Sequence, residues 1–251
     1  LIMRRRLRKV FAACDIVYTI SENQKEYLRQ RFGDKFKVLT KYAEFDKSNK
    51  PAGFRPHAPL RMLYTGNLGS GRYSSLCLIA KALRQVNAHE QRIVFDIYTS
   101  TVLSERLRSR LNTAETTLHD AVSFEKVLEL QRRADILVHV EGLSLKERLD
   151  VAHSFSTKIV DYLQQCKPIF VVGKDDCASI RYFIDNDSGI VAQNYDEIVR
   201  KLTAIAASPL ILADYAEKAW TCGEKNHRKS IHQEALKNDL LNVVKQTNKT
   251  R

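Results

Sequence analysis

The sequence predicts an α/β fold, a parallel sheet covered by helices on both faces and doubly wound in the Rossmann-like manner. Two observations carry that reading. From about residue 60 onward, short apolar runs alternate with segments of helical periodicity, the order expected of βαβ units. The runs are also continuously apolar, as in Ile169-Phe170-Val171-Val172, which a strand buried on both faces requires. With 251 residues, 44% hydrophobic and 28% charged, the chain has the composition of a folded globular protein with one main core.

The elements follow in order. The chain starts at Leu1, not Met, inside what reads as an amphipathic helix already under way, so a fragment of a longer protein is expected. Asp15-Ile16-Val17-Tyr18-Thr19-Ile20 is a buried-strand run. Ser21, with Glu22 and Gln24 behind it, caps a helix that runs to Phe32 and ends at Gly33. A short extended run follows at 36–39. Residues 42–59 hold Pro51, Gly53, Pro56 and Pro59 without sustained periodicity and read as a linker between two lobes.

Strands are then expected at 60–64, 93–98, 118–122, 135–140, 169–172 and 189–191. Between them lie helices at 73–87, 104–111, 124–132, 157–165 and 177–186. The first carries Leu76, Ile79, Leu83 and Val86 on one stripe. After Pro209 the pattern is helical to the end. The expected organisation is an end of one domain plus linker at 1–50, a nucleotide-binding Rossmann-like domain at 51–216, and closing helices at 217–251.

Forty-one Lys and Arg against 29 Asp and Glu give a net charge of +12, which favours anionic partners without choosing among them. The densest basic run is Arg4-Arg5-Arg6-Leu7-Arg8-Lys9, read as a solvated helix face or a contact with lipid or polyanion. Five cysteines are scattered without a CxxC pair, so neither a zinc site nor a disulfide framework is suggested, and a reducing cytoplasmic setting is expected. No apolar stretch approaches the roughly 18 residues of a membrane span. Any membrane contact would be peripheral, through the basic N-terminal segment. The aromatic and basic interleaving of an RNA-binding surface is missing, so nucleic acid is not expected as a partner.

In an open parallel sheet, ligands bind beyond the carboxyl ends of the strands, where strand order reverses. Two loops deserve inspection on that ground. The first is Thr65-Gly66-Asn67-Leu68-Gly69-Ser70-Gly71-Arg72. Its glycines allow close backbone approach ahead of a helix N-terminus, and Arg72 supplies a fork for a phosphate. The spacing G-x-x-G-x-G is neither the dinucleotide fingerprint nor a P-loop, so a tight turn without a ligand is the competing reading. The second is His153-Ser154-Phe155-Ser156-Thr157-Lys158, with Asp161 one turn further on. Free amides, hydroxyls and an ammonium converge there beside a carboxylate. The competing reading is a capped helix with a local Lys158 to Asp161 ion pair. His139, Tyr162 and Trp220 read as core or interface residues, and His89 and His119 as surface residues.

Residues 64–72, the run Ser-Phe-Ser-Thr-Lys-Ile-x-Asp-Tyr-Leu at 154–163 and Ala-Ser-Ile-x-Tyr at 178–182 together resemble the C-terminal domain of bacterial GT-B glycosyltransferases that build capsules, exopolysaccharides and lipopolysaccharides. Residues 14–21 resemble the end of their N-terminal acceptor domain, and Asn226-His227 falls within helices that in the family return toward it. The resemblance covers nearly the whole chain. It implies transfer of a sugar from a nucleotide diphosphate sugar to a glycan or lipid-linked acceptor, with retention and without a metal or other cofactor.

The resemblance also implies roles. Asp161, ahead of Lys167-Pro168, takes the ribose-binding place, with Asp where Glu is more frequent. Counting back eight residues, to the place of a second Glu, lands on His153. Glu141 is the alternative carboxylate, because 142–152 reads as an insertion. The implied catalytic residues are Arg72, Lys158 and Glu141. Gly66, Asn67, Gly69, Gly71, Ser154, Phe155, Ser156, Thr157 and Asp161 are the implied donor-binding residues. Alone, the chain is expected to bind donor without transferring it, with Ile231, Leu236, Leu240 and Val243 of the closing helices exposed. A nucleotide-sugar epimerase of the same architecture, a basic nucleic-acid-binding module and an inactive sugar-binding relative are the alternatives.

Overall fold

The computed structural model describes residues 2–52 and 54–249; Leu1 and Gly53, named above, lie outside the described residues. Helix α1 (Ile2–Ala13) leads into a small parallel unit made of β1 (Val17–Thr19), α2 (Glu22–Phe32) and β2 (Phe36–Val38). Ser21 caps α2, its hydroxyl accepting from the Gln24 amide at 3.1 Å, while the Gln24 side chain accepts from the Ile20 amide at 3.0 Å. Gly33 ends the helix at φ +97°, as the sequence predicts.

The larger sheet has six parallel strands in the order β5-β4-β3-β6-β7-β8: β3 (Leu60–Thr65), β4 (Ile93–Thr99), β5 (Thr116–Asp120), β6 (Ile136–Val140), β7 (Ile169–Val172) and β8 (Ile190–Ala192). Successive side chains point to opposite faces. Met62 and Tyr64 join one core layer with α3 (Arg72–Val86) and α9 (Tyr195–Ala207). Leu63 joins the other with α7 (Lys158–Gln164), α8 (Ala178–Asp185) and α10 (Ile211–His227). Burial on both faces explains why the strands read as unbroken apolar runs.

Several expectations need correction. The helix expected at 104–111 is the single turn α4 (Glu105–Arg108), and Arg110 and Leu111 continue only as turns bonded to Leu107 and Arg108. The strand expected at 118–122 is β5, two residues earlier, where Thr116 and Thr117 pair with Phe95 and Asp96. Helix α5 (Phe124–Arg133) lies as expected. Two helices go unread in the sequence. One is α9, capped by Asn194, which accepts from the Glu197 amide at 2.9 Å, and anchored by Ile198, Leu202 and Ile205. The other is α6 (Leu145–Val151), inside the 142–152 segment. His139, Tyr162 and Trp220 are core residues and His89 is exposed. His119 is not a plain surface residue, since it pairs with Asp96 at 2.6 Å and stacks on Tyr98.

The linker is tied down along its length. The Ala43 amide donates to His227 O, and the Lys229 amide donates back to Ala43 O, both at 3.0 Å. Phe45 is buried against Trp220. Helix α11 (Lys229–Lys249) then returns to the small unit, where Asp239 accepts from Tyr18 at 3.0 Å and pairs with Lys37. Of the positions expected to be exposed, Ile231 and Leu240 are, whereas Leu236 and Val243 are half-buried. Among the described residues, no helix is long and apolar enough to cross a membrane.

At Gly223 on α10 the linker residue Phe45 packs directly against the helix backbone. A methyl group there would overlap the Phe45 ring and stand 3.1 Å from Leu163 Cβ. Overpacking of this kind costs about 1–3 kcal/mol. Gly223→Ala is therefore expected to lower the urea midpoint with little change in slope. An unchanged midpoint would show that the linker yields freely at this contact.

Candidate functional site

Strand order reverses between β3 and β6, and the loops beyond their carboxyl ends carry the candidate residues. At the end of β3 the chain passes through Gly66 at φ +153°. A Cβ there would overlap the Lys158 ammonium, so glycine is required both by backbone angle and by space. Lys158 Nζ donates to Thr65 O at 2.9 Å and lies 4.7 Å from the centre of the Tyr64 ring. The first residue of α7 is thus held against the first loop by its charged end.

Arg72, the first residue of α3, completes the group. Its Nη1 donates to Asn67 Oδ1 at 2.9 Å, and Nη2 stands 2.9 Å from Glu141 Oε2, at ion-pair distance but without hydrogen-bond alignment. Glu141 follows β6 and is almost fully buried. Its amide donates to Val172 O at 2.9 Å, and its carbonyl accepts from Ser75 Oγ at 2.7 Å. The other carboxylate oxygen is 3.5 Å from Nε2 of the buried His139.

Burial raises the Glu141 pKa, but His139 and Arg72 outweigh that effect and hold the carboxyl below its ordinary range. Burial also pushes His139 down, against the pull of Glu141. Lys158 is pushed down to about 8, first by burial and then by repulsion from Arg72, with Glu141 opposing. Two cations and one carboxylate therefore share a largely dry space, and the positive charge is in excess.

The structure brings together Gly66, Asn67, Arg72, Glu141 and Lys158, but separates others. Asp161 pairs with Lys41, just ahead of the linker, and not with Lys158, because Lys158 turns toward the sheet. Phe155 is buried edge-on against Tyr182 and serves as an anchor for its loop. The expected array of free amides is largely spent. The amides of Gly66, Leu68, Gly69, Arg72 and Tyr73 are bonded within the loop or to its neighbours. Those of Ser154 and Ser156 bond to Val151 O and Ser179 Oγ. Thr157 precedes α7 without a side-chain cap bond.

His153 packs at a tilt against Tyr27 of α2 with ring centres 4.4 Å apart, and Glu141 is the acidic group that enters the cluster. Sequence reasoning missed Glu147. Ser144 and Glu147 form a capping box at the start of α6, and the Glu147 carboxyl occupies the space a Cβ on Gly71 would take. The Ser144-x-x-Glu147 spacing was a readable signal for the helix start, though not for its approach to Gly71.

A separate cavity of about 490 Å³ lies between the small unit and the closing helices, lined by residues that include Ser21, Thr40, Tyr182, Asn226 and His227. Its polar groups bond chiefly to one another: Tyr182 Oη and His227 Nε2 are 2.8 Å apart, and Asn226 donates to Asn186 at 2.9 Å. Burial pushes His227 down to about 4, and the guanidinium lining this cavity, that of Arg181, is paired with Asp175.

This six-stranded parallel sheet with its covering helices matches in fold the C-terminal half of GT-B glycosyltransferases. The chain is similar to TarM (TM-score 0.71, 13% identity, 94% of this chain and 45% of that one). It is also similar to a glycosyltransferase from Rickettsia africae (TM-score 0.66, 12% identity, 93% and 66%). A third similar structure is Anabaena HepE in complex with UDP and glucose (TM-score 0.67, 10% identity, 91% and 64%). The chain spans about half the length of the first solved structures it matches. No family model and no curated protein sequence matches it.

The titration of Lys158 is open to direct test. Its folded pKa of about 8 lies below the ordinary 10.5, so between those values the unfolded chain holds more protons and stability rises with pH. Relative to Lys158→Met, the wild type is expected to gain stability from about pH 8 toward pH 10.5, measured by urea unfolding at several pH values. A difference between the two proteins that stays constant across that window would contradict the burial of this ammonium.

Proposed function

We propose that the chain is the donor-binding part of a glycosyltransferase, taking a sugar from a nucleotide diphosphate sugar to a hydroxyl of a glycan or lipid-linked acceptor in cell-surface polysaccharide synthesis. The observation that carries this reading is the meeting of Arg72 and Lys158 at the strand-order reversal of a GT-B fold, with a buried carboxylate between β6 and α6. That HepE is described with UDP and glucose supports the same ligand class here.

The chemistry follows from charge. As the bond from the anomeric carbon to the diphosphate oxygen breaks, negative charge grows on the diphosphate, and a new bond forms to the acceptor oxygen, whose proton passes to the departing diphosphate. Preorganised cations lower the energy of that state most when water is excluded. Arg72 and Lys158 supply them. Arg72 leaves Glu141 for the phosphate, and the freed carboxylate turns to a sugar hydroxyl. Asp161 holds the ribose once Lys41 gives way. We place the glycine loop in close approach to the diphosphate, with most of its amides already engaged. The reading assigns the diphosphate charge to side-chain cations, and retention of anomeric configuration goes with it. Where the full protein meets a membrane, the basic face of α1 is the segment we assign to that contact.

An epimerase of the same architecture would release nucleotide without an added acceptor, and the same donor site would serve it. The donor site itself is tested by binding. A hydrogen bond to a charged group contributes about 1.5–3 kcal/mol, so Lys158→Ala is expected to weaken nucleoside diphosphate binding by roughly tenfold or more while sparing the nucleoside. Asp161→Ala is expected to weaken both. Thermal shifts with UDP, GDP, CMP and ADP, each against its nucleoside, read this directly. Equal losses for diphosphate and nucleoside in Lys158→Ala would remove Lys158 from the phosphate site.

A further inference from the structure

Helix α3 carries a second concentration of positive charge on a face away from the donor loop. Tyr73, Cys77, Lys81 and Arg84 follow one another at helical steps of four, four and three, which places them on one stripe. Together with Ser74 and with Arg110 from beyond α4, they line a pocket of about 400 Å³. The side chain of the adjacent Arg72 goes instead to Asn67 and Glu141, so the two sites are separate.

Two features distinguish this pocket from ordinary basic surface. Its walls are fixed: the Tyr73 hydroxyl donates to Leu107 O at 3.0 Å, binding α3 to the end of α4, and Leu111, next to Arg110, is fully buried. On the other side, Lys81 Nζ lies 4.6 Å from the centre of the Tyr195 ring, whose hydroxyl donates to Gln85 at 3.1 Å. Its charge is also uncompensated. Nearby Arg108 pairs with Asp120 and Arg92 with Glu90, whereas among the described residues Lys81, Arg84 and Arg110 form no ion pair. No carboxylate lines the pocket. Burial raises the Cys77 thiol above its ordinary range, so it stays protonated near neutral pH and adds no negative charge.

We propose that this pocket is an anion site that takes a phosphate group, carried either by a soluble phosphate compound or by a lipid headgroup. Two guanidinium forks and an ammonium around one concavity match the oxygens of a phosphate, and the pocket has the size of small-ligand sites. A bound dianion relieves the mutual repulsion of the three cations.

Two arms test the proposal on the whole chain. In the first, inorganic pyrophosphate is titrated by calorimetry, and labelling of Cys77 by a maleimide is followed by peptide mass spectrometry. A saturable site is expected to survive in Lys158→Ala and to weaken at least tenfold in the double variant Arg84→Gln/Arg110→Gln, and pyrophosphate is expected to slow Cys77 labelling in the wild type several-fold. In the second, co-sedimentation with phosphatidylcholine vesicles is compared with and without phosphatidylglycerol. A loss in the double variant confined to the anionic vesicles, with Cys77 unprotected by pyrophosphate, assigns the phosphate to a headgroup. The labelling arm needs no variant, so a folding defect in the double variant leaves the proposal exposed to failure. If Cys77 is unprotected and the double variant sediments like the wild type, the pocket is not an anion site.

Discussion

The parallel pairing of β3 with β6 decides where charge gathers in this molecule. Strand order turns back across that pair, so the helices that follow the two strands pass to opposite faces and leave a crevice above the strand ends. Whatever stands first after β3, or soon after β6, must face that crevice. Gly66, Arg72, Glu141 and Lys158 are the residues so placed. The crevice is narrow enough that Gly66 cannot carry a side chain without displacing the Lys158 ammonium.

Burying these groups is costly, and the structure only partly offsets the cost. Glu141 is held below its ordinary range because His139 and Arg72 outweigh desolvation. Lys158 has a backbone carbonyl as its hydrogen-bond partner and stays strained toward its neutral form. A site that holds an excess of positive charge in low dielectric favours an anion over water. The same imbalance that reduces stability therefore prepares binding. Asp161 is in a similar position, since its partner Lys41 stands at the entry to the linker. A ligand that engages Asp161 would also act on the segment joining the two parts of the chain.

Much of the fold is legible because both faces of the sheet are buried. The strand at 169–172 is bounded in the sequence as it is in the structure, and the one read at 135–140 differs by a single residue. Edge strands have weaker signals, and β5, paired on one side, is displaced by two residues. Helix α9 was readable from Asn194 and Glu197 but lay in the interval between the last apolar run and Pro209. In the site, Gly66, Arg72 and Lys158 could be found from local pattern, since each stands where a loop meets a helix. The pairing of Asp161 with Lys41 joins residues 120 apart in sequence, and the approach of Glu147 to Gly71 depends on how α6 folds back. Neither leaves a trace in local spacing.

The position of a nucleoside diphosphate bound to this chain is the most direct measurement of the account. In a crystal soaked with UDP, or with whichever diphosphate binds, the phosphates should lie within hydrogen-bond reach of both Arg72 and Lys158, with Arg72 parted from Glu141. A nucleotide seated in the cavity beside Tyr182 and His227, with the Arg72–Glu141 pair and the Lys158–Thr65 bond intact, would contradict it.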